Sequence, residues 1–219
     1  MITIMTVGAI IVCAGKGKRL GVDKPIVKIK GKPLFYHTFR AFDSHRGIKQ
    51  IALVLRKEHI EQAKKIIKNK KVLFVEGGAL REESVCNGLN ALGKTISHVL
   101  IHDGARPLVN KKLIDRVLRE LKNSDAVIPA ILAQDALKQV DNGNVKKTIK
   151  KEKIVCVQTP QGFARKLIAQ AHKDFGHRKV YDDAQLVELL GKRVKVVCGD
   201  VTNIKITYPH DIKLVESVL

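Results

Sequence analysis

Aromatic residues are scarce in this chain: no tryptophan, six phenylalanines and three tyrosines in 219 residues. Stacking platforms for single-stranded bases are correspondingly few, and no nucleic-acid-binding motif is present, so a nucleic-acid partner is not expected. Four cysteines, Cys13, Cys86, Cys156 and Cys198, stand far apart with no Cys-x-x-Cys pair and no histidine at zinc-finger spacing. That spacing excludes a disulfide framework and a zinc finger, and leaves the cysteines as expected small buried hydrophobes. No apolar run has the roughly 20 residues that a membrane span requires. The start lacks a charged segment ahead of its apolar stretch, so a secretory signal is not expected and the cytoplasm is. Acidic residues are also short, 21 against 41 lysines and arginines, for a formal net charge of +20. Such a balance fits either a solvated lysine-rich surface or attraction of anionic substrates. The run Lys64-Lys65-Ile66-Ile67-Lys68-Asn69-Lys70-Lys71 has a helical pattern with lysines on the solvent side.

What is present begins with Gly8-Ala9-Ile10-Ile11-Val12-Cys13-Ala14-Gly15-Lys16-Gly17-Lys18-Arg19-Leu20. An unbroken apolar run entering a glycine loop predicts a buried parallel strand, followed by a turn where backbone can approach a ligand closely. Lys16, Lys18, Arg19 and Lys24 add cationic donors to the backbone N–H groups, the chemistry that a phosphate needs. A dinucleotide fingerprint would place glycine where Leu20 stands, so the loop does not predict NAD binding.

Downstream, Lys30-Gly31-Lys32-Pro33-Leu34 predicts a turn, and Leu34, Phe35, Thr38 and Phe39 have the spacing of one helix face. Strands are then expected at 49–55, 72–75, 97–102 and 126–132, with helices at 59–67, 82–92 and 111–121 between them. This alternation predicts right-handed crossovers and an α/β fold, a mostly parallel sheet flanked by helices. Period-two alternation around Asn142-Gly143 predicts a β-hairpin between Leu137 and Ile149. An inserted hairpin has little core of its own, so it is expected to project as an arm, spanning about 134–153, and to pack on a partner subunit. The remainder predicts strands at 154–157, 194–198 and 203–207, and helices at 163–175, 182–190 and from Pro209 onward. The 219 residues fit a single domain.

Gly88-Leu89-Asn90-Ala91-Leu92-Gly93-Lys94-Thr95 matches the letters of an ATP-binding P-loop. That motif requires a strand before it and a helix after it, the reverse of the order here, so Gly93 is expected to cap a helix.

In an open parallel sheet, ligands bind beyond the carboxyl ends of the strands. The ends here carry Glu76-Gly77-Gly78-Ala79-Leu80-Arg81-Glu82-Glu83-Ser84, His102-Asp103-Gly104-Ala105-Arg106-Pro107, Thr159-Pro160-Gln161-Gly162-Phe163 and Asn203-Ile204-Lys205-Ile206-Thr207. Gly77 and Gly78 leave room for a flat base whose edge Ser84 can bond. Asp103 can accept from a ribose hydroxyl or approach a magnesium ion held by phosphates, and Arg106 and Lys205 can hold a second anion. Together they favour a nucleotide site with an anionic co-substrate beside it.

Ala14-Gly15-x-Gly17-x-Arg19-Leu20 with Lys24, Gly77-Gly78-x-x-Arg81-x-x-Ser84-Val85, His102-Asp103-x-Ala105-Arg106-Pro107, Thr159-Pro160-Gln161-x-Phe163 and Asn203-Ile204-Lys205-x-Thr207 span nearly the whole chain in order. In these motifs the sequence resembles the 2-C-methyl-D-erythritol 4-phosphate cytidylyltransferases. The resemblance implies a Rossmann-like nucleotidyltransferase fold and a Mg2+-dependent transfer of CMP from CTP to the sugar-alcohol phosphate, with release of pyrophosphate, in non-mevalonate isoprenoid synthesis. It implies Arg19, Lys24, Lys151 and Lys205 as catalytic residues, and Ala14, Gly15, Gly17, Gly78, Ser84 and Asp103 as the CTP-binding set. It further implies Asp103, Arg106, Lys151, Thr159 and Lys205 around the acceptor, and a homodimer joined through the arm. Metal ligands are left unassigned.

The chain departs from the common pattern at three places: Ala136 follows Asp135 where threonine is usual, Lys151 stands for an arginine, and the loop between Arg19 and Lys24 is two residues shorter than in some members. These departures concern the acceptor more than the nucleotide, since lysine keeps the charge of arginine and loses its bidentate fork. A ribitol 5-phosphate cytidylyltransferase is therefore the alternative. A basic nucleotide- or RNA-binding module without turnover is the alternative of another class, and a steep salt dependence would mark it.

Overall fold

The computed structural model describes residues 5–15, 17, 21 and 23–219. The opening apolar run forms β1 (Val7–Val12), buried on both faces: Ala9 and Ile11 join a core with Phe35 and Phe39, while Ile10 joins a second with Val85 and Leu89. A strand covered on both sides has no polar face, which is why the run does not alternate. A 3-10 turn at Lys24–Ile26 leads into a small ribbon of β2 (Lys28–Ile29) and β3 (Lys32–Pro33), joined through Lys30 and Gly31 at positive φ. Helix α1 (Leu34–Asp43) then buries Leu34, Phe35, Thr38 and Phe39, the face that the spacing predicts.

Strand and helix alternate through β4 (Ile48–Leu55), α2 (Lys57–Ile66), β5 (Val72–Glu76), α3 (Arg81–Ala91), β6 (His98–Asp103), α4 (Lys111–Glu120) and β7 (Ala126–Leu132). The hairpin follows as β8 (Leu137–Asp141) and β9 (Asn144–Ile149), with Asn142 and Gly143 at φ 46° and 80° in its turn. It forms a two-stranded sheet of its own, with Val140 60% and Val145 62% exposed. The chain returns through β10 (Val155–Val157), β11 (Gln161–Ala164), α5 (Arg165–Phe175), α6 (Asp183–Leu189) and β12 (Lys195–Cys198), and ends in α7 (Pro209–Val218).

In the main sheet β5, β4, β1 and β6 lie side by side in parallel. Chain order runs from β1 outward to β4 and β5, then returns to place β6 on the other side of β1. The carboxyl ends of β1 and β6 thus flank a topological switch point, where an α/β sheet opens a crevice. Beyond β6, β11 runs antiparallel to both β6 and β7, β10 is antiparallel to β7, and β12 lies parallel to β7. Helices α1, α2 and α4 cover one face, and α3, α5 and α6 the other.

Several expectations are corrected. Phe163 is in β11 rather than at a helix start, because its backbone finds ladder partners on both sides, opposite Val99 and Ala126, and α5 starts two residues later. Residues 203–207 form no strand: they cross the strand ends, where Ile206 N–H donates to Ala105 O at 2.8 Å. Helix α2 stops at Ile66, so Lys68 to Lys71 lie beyond it, although Ile67 remains buried. Cys13 is buried, Cys86 is half-buried, and Cys156 and Cys198 are exposed; β10 and β12, which carry the last two, each pair with β7 alone. Gly93 follows the capping residue Leu92 without the left-handed φ expected of a glycine cap. A helix does precede it and β6 follows, the order that excludes a P-loop.

Candidate active site

The strand ends converge. Beyond β1, β5 and β6 lies a cleft of about 560 Å³ whose walls include Ala14, Gly15, Gly17, Lys24, Gly78, Ser84, Asp103 and Lys205. A second cleft of about 530 Å³ adjoins it, with Asp103, Arg106, Thr159 and Lys205 among its walls. Arg81, Asp103 and Lys205 line both. Arg19, with Lys16, Lys18 and Leu20, lies outside the described residues. Lys151 lines neither cleft; its ammonium donates to Gln134 O at the base of the hairpin.

Local packing explains why these loops take their shape. A Cβ on Gly104 would come within 2.1 Å of Cys13 Sγ and 2.9 Å of Val12 O, so the loop after β6 can press against the end of β1 only with glycine there. Glycine at 77 and 78 serves the same purpose: a Cβ on either would lie 2.3 Å from the Cβ of Ala14 or of Glu83 respectively. The Ser84 hydroxyl accepts from Gly78 N–H and donates to Leu80 O, both at 3.1 Å, and the Glu83 carboxylate accepts from Ala79 and Leu80 N–H. Those bonds spend the serine on shaping the loop, a use the sequence did not predict. Lys24 Nζ donates to Ile206 O at 2.7 Å, tying the first loop to the last crossing segment.

Asp103 is the electrostatic centre. Its carboxylate lies 2.7 Å from Lys205 Nζ, 3.6 Å from Arg81 Nη2 and 3.7 Å from Arg106 Nε. Burial alone would raise its pKa; Lys205, Arg81 and Arg106 outweigh burial and hold it well below the usual carboxylate range. Behind it, burial pushes the His102 imidazole down to about 3, so it is neutral. Its Nε2 faces the Arg106 carbonyl, which can only accept, so Nε2 carries the proton and Nδ1 accepts from the Thr159 hydroxyl at 2.9 Å. Thr159 Oγ1 in turn accepts from Asp103 N–H at 3.1 Å, and Asn203 Nδ2 donates to Thr159 O. Thr159 thereby fixes the strand end that presents Asp103.

Two arginines escaped the sequence-based site. Arg81 opens α3 and pairs with Asp183 at 2.7 Å as well as with Asp103. Nothing in the sequence couples positions 81 and 183. Arg56 follows β4, lines the first cleft and pairs with Asp23, which also bonds His59 Nε2 at 2.7 Å. Reading the end of β4 by the rule used for its neighbours would have found it. The first cleft therefore gathers Lys24, Arg56, Arg81 and Lys205 against Asp103, the one acidic side chain in its wall among the described residues. Such a field suits a polyanion. In the adjoining cleft Arg81, Arg106 and Lys205 share the wall with Asp103, Asp182 and Glu188, so an anion there would be held by Arg106 and Lys205 locally rather than by the field of the whole cleft.

The model of the 2-C-methyl-D-erythritol 4-phosphate cytidylyltransferase family, IspD, matches residues 7–219. The chain belongs to this family. It is 40% identical to a 2-C-methyl-D-erythritol 4-phosphate cytidylyltransferase of Dehalococcoides mccartyi, over 97% of this chain and 96% of that one. Identity to the Bacillus mycoides cytidylyltransferase is 38%, over 96% of each chain. The crystal structure of 4-diphosphocytidyl-2C-methyl-D-erythritol synthase from Anaerococcus prevotii superposes with a TM-score of 0.87 at 32% identity, covering 98% of both chains. The IspD nucleotidyltransferase fold thus accounts for the mostly parallel sheet and for the switch point beneath the two clefts.

Proposed function

We propose that this IspD-family chain transfers CMP from CTP to 2-C-methyl-D-erythritol 4-phosphate, giving 4-diphosphocytidyl-2-C-methyl-D-erythritol and pyrophosphate. The observation that carries this reading is the pair of adjoining clefts with a common wall of Arg81, Asp103 and Lys205, in a chain matched by the family model from residue 7 to 219. An acceptor phosphate oxygen attacks the α-phosphorus of CTP, the bond to the bridging oxygen breaks, and pyrophosphate leaves. The nucleophile is already an anion, so the protein's task is to hold two anions in line and offset the charge growing on the leaving group.

In this reading Ala14, Gly15, Gly17, Gly78, Ser84 and Asp103 surround the nucleotide, Lys24 and Arg19 stabilise the transition state, and Arg106, Thr159, Lys205 and Asp103 hold the acceptor. A magnesium ion carried by the triphosphate would take phosphate oxygens and water as its main ligands, with Asp103 as the one carboxylate in the wall of the first cleft among the described residues. Bound there, the ion would neutralise part of the phosphate charge. The hairpin docks on a second copy through its exposed Val140 and Val145 and brings Lys151 to the neighbour's acceptor site. The reading includes a cytoplasmic location and no nucleic-acid or membrane partner; no described helix is long and apolar enough to cross a membrane.

The test is pyrophosphate release with CTP and magnesium, comparing 2-C-methyl-D-erythritol 4-phosphate with ribitol 5-phosphate. Turnover with the first acceptor is expected. Turnover with ribitol 5-phosphate alone would reassign the acceptor, and CTP binding without turnover would reduce the chain to a nucleotide-binding module.

A further inference from the structure

Behind the wall that separates the clefts lies a buried row of alternating charges. His172, on α5, faces Asp183 of α6 with Nε2 3.1 Å from Oδ1. The other Asp183 oxygen is 2.7 Å from Arg81 Nη2, Arg81 is 3.6 Å from Asp103, and Asp103 is 2.7 Å from Lys205. Asp183 is fully buried and His172 nearly so, so neither exchanges its partner for water. From α3, Cys86 Sγ lies 3.4 Å from His172 Nδ1, and the same helix adds the buried Glu82 near Arg81. Strand β11, also packed on α5, contributes Gln161 to Ala164 and no titratable side chain.

We infer that His172 is a positioning residue for the nucleotide site: by holding one oxygen of Asp183 it sets how Arg81 is divided between Asp183 and Asp103. Arg81 has two carboxylates to serve and sits nearer the one that His172 also serves. With a protonated His172, Asp183 has two cations and releases part of its hold on Arg81 to the cleft. With a neutral His172, Arg81 is the only cation left to Asp183 within this row and is drawn back from Asp103. Burial by itself would lower the pKa of His172; its bonds to Asp183 and Cys86 outweigh that and raise it to about 9, so the charged form prevails at neutral pH.

This inference rests on CTP as the nucleotide, and the experiment separates the two. CTP binding to the wild-type protein, measured by calorimetry without acceptor from pH 7 to 10, is expected to weaken about threefold as His172 loses its proton. Linkage requires CTP to raise the titration midpoint of His172 by about half a unit in return, which histidine NMR reads on the wild-type protein. The His172→Gln variant, which keeps a donor and loses the charge, is expected to bind CTP about threefold more weakly at pH 7 with no further change across that window. A His172 midpoint that CTP does not move, in a protein that binds CTP normally, overturns the inference whether or not the variant folds. So does a His172→Gln protein with the wild-type pH dependence of binding. No CTP binding at any pH overturns both the inference and the proposed function.

Discussion

Replacing Asp103 by asparagine tests the electrostatic account of the site most directly. The substitution keeps the shape of the side chain and removes the charge that faces Lys205, Arg106 and Arg81. Breaking a buried ion pair by deleting one partner costs about 3–5 kcal/mol. Lys205 is 41% exposed and can turn to water, whereas Arg106 is 12% exposed and cannot, so the lower end applies, about 3 kcal/mol. For a chain of this size that corresponds to roughly 6–12 °C in Tm. Urea unfolding of the free protein is the assay.

The pH dependence of this loss has a definite sign. The folded pKa of Asp103 is depressed, so its stabilisation is present above the unfolded value of about 3.9 and disappears as pH falls toward the folded value. The gap between wild type and Asp103→Asn is therefore expected to be constant near neutrality and to narrow below about pH 4. CTP is expected to return more stability to the variant than it adds to wild type, because its phosphates replace the missing counter-charge, while turnover falls. A loss below about 1 kcal/mol in the free protein, the level of an exposed pair, would refute the idea that Asp103 holds the three cations together.

Lys24→Ala is expected to lower kcat by about 10²–10³, the scale of removing one charge-stabilising donor, with little change in CTP affinity; steady-state pyrophosphate release checks it, and full turnover would remove Lys24 from the catalytic set. Val140→Asp with Val145→Asp is expected to leave the fold intact and convert a dimer to monomers in sedimentation, with a loss of acceptor affinity. Stability against pH is expected to peak between about pH 6 and 7: the unfolded chain takes up a proton below its ordinary histidine pKa that His102 refuses until about 3, whereas His172 holds one to about 9 that the unfolded chain has released. Urea midpoints from pH 4 to 10 read both slopes, and His102→Gln is expected to flatten the acid one.

Much of the architecture was determined locally. Period and punctuation placed β1, the face of α1, the strand and helix alternation through β7, and the Asn142-Gly143 turn, because each depends on residues within a few positions of one another. Strand-end motifs also gathered Gly78 and Asp103, since the rule that ligands bind at carboxyl ends holds whatever packs elsewhere, whereas Lys205 reaches the same cleft from a segment that is not a strand. Where two elements compete for a segment, local reading failed. Phe163 follows a helical pattern, yet the gap between β6 and β7 supplies ladder partners on both sides. Residues 203–207 have strand composition and lie across the strand ends instead. Exposure at Cys156 and Cys198 depends on what covers β10 and β12, which no local pattern encodes. Only the tertiary structure set Arg81 between Asp103 and Asp183 and put His172 behind it, for those charges are up to 102 positions apart in sequence (183 − 81) and pair only after α3, α5 and α6 close over the sheet.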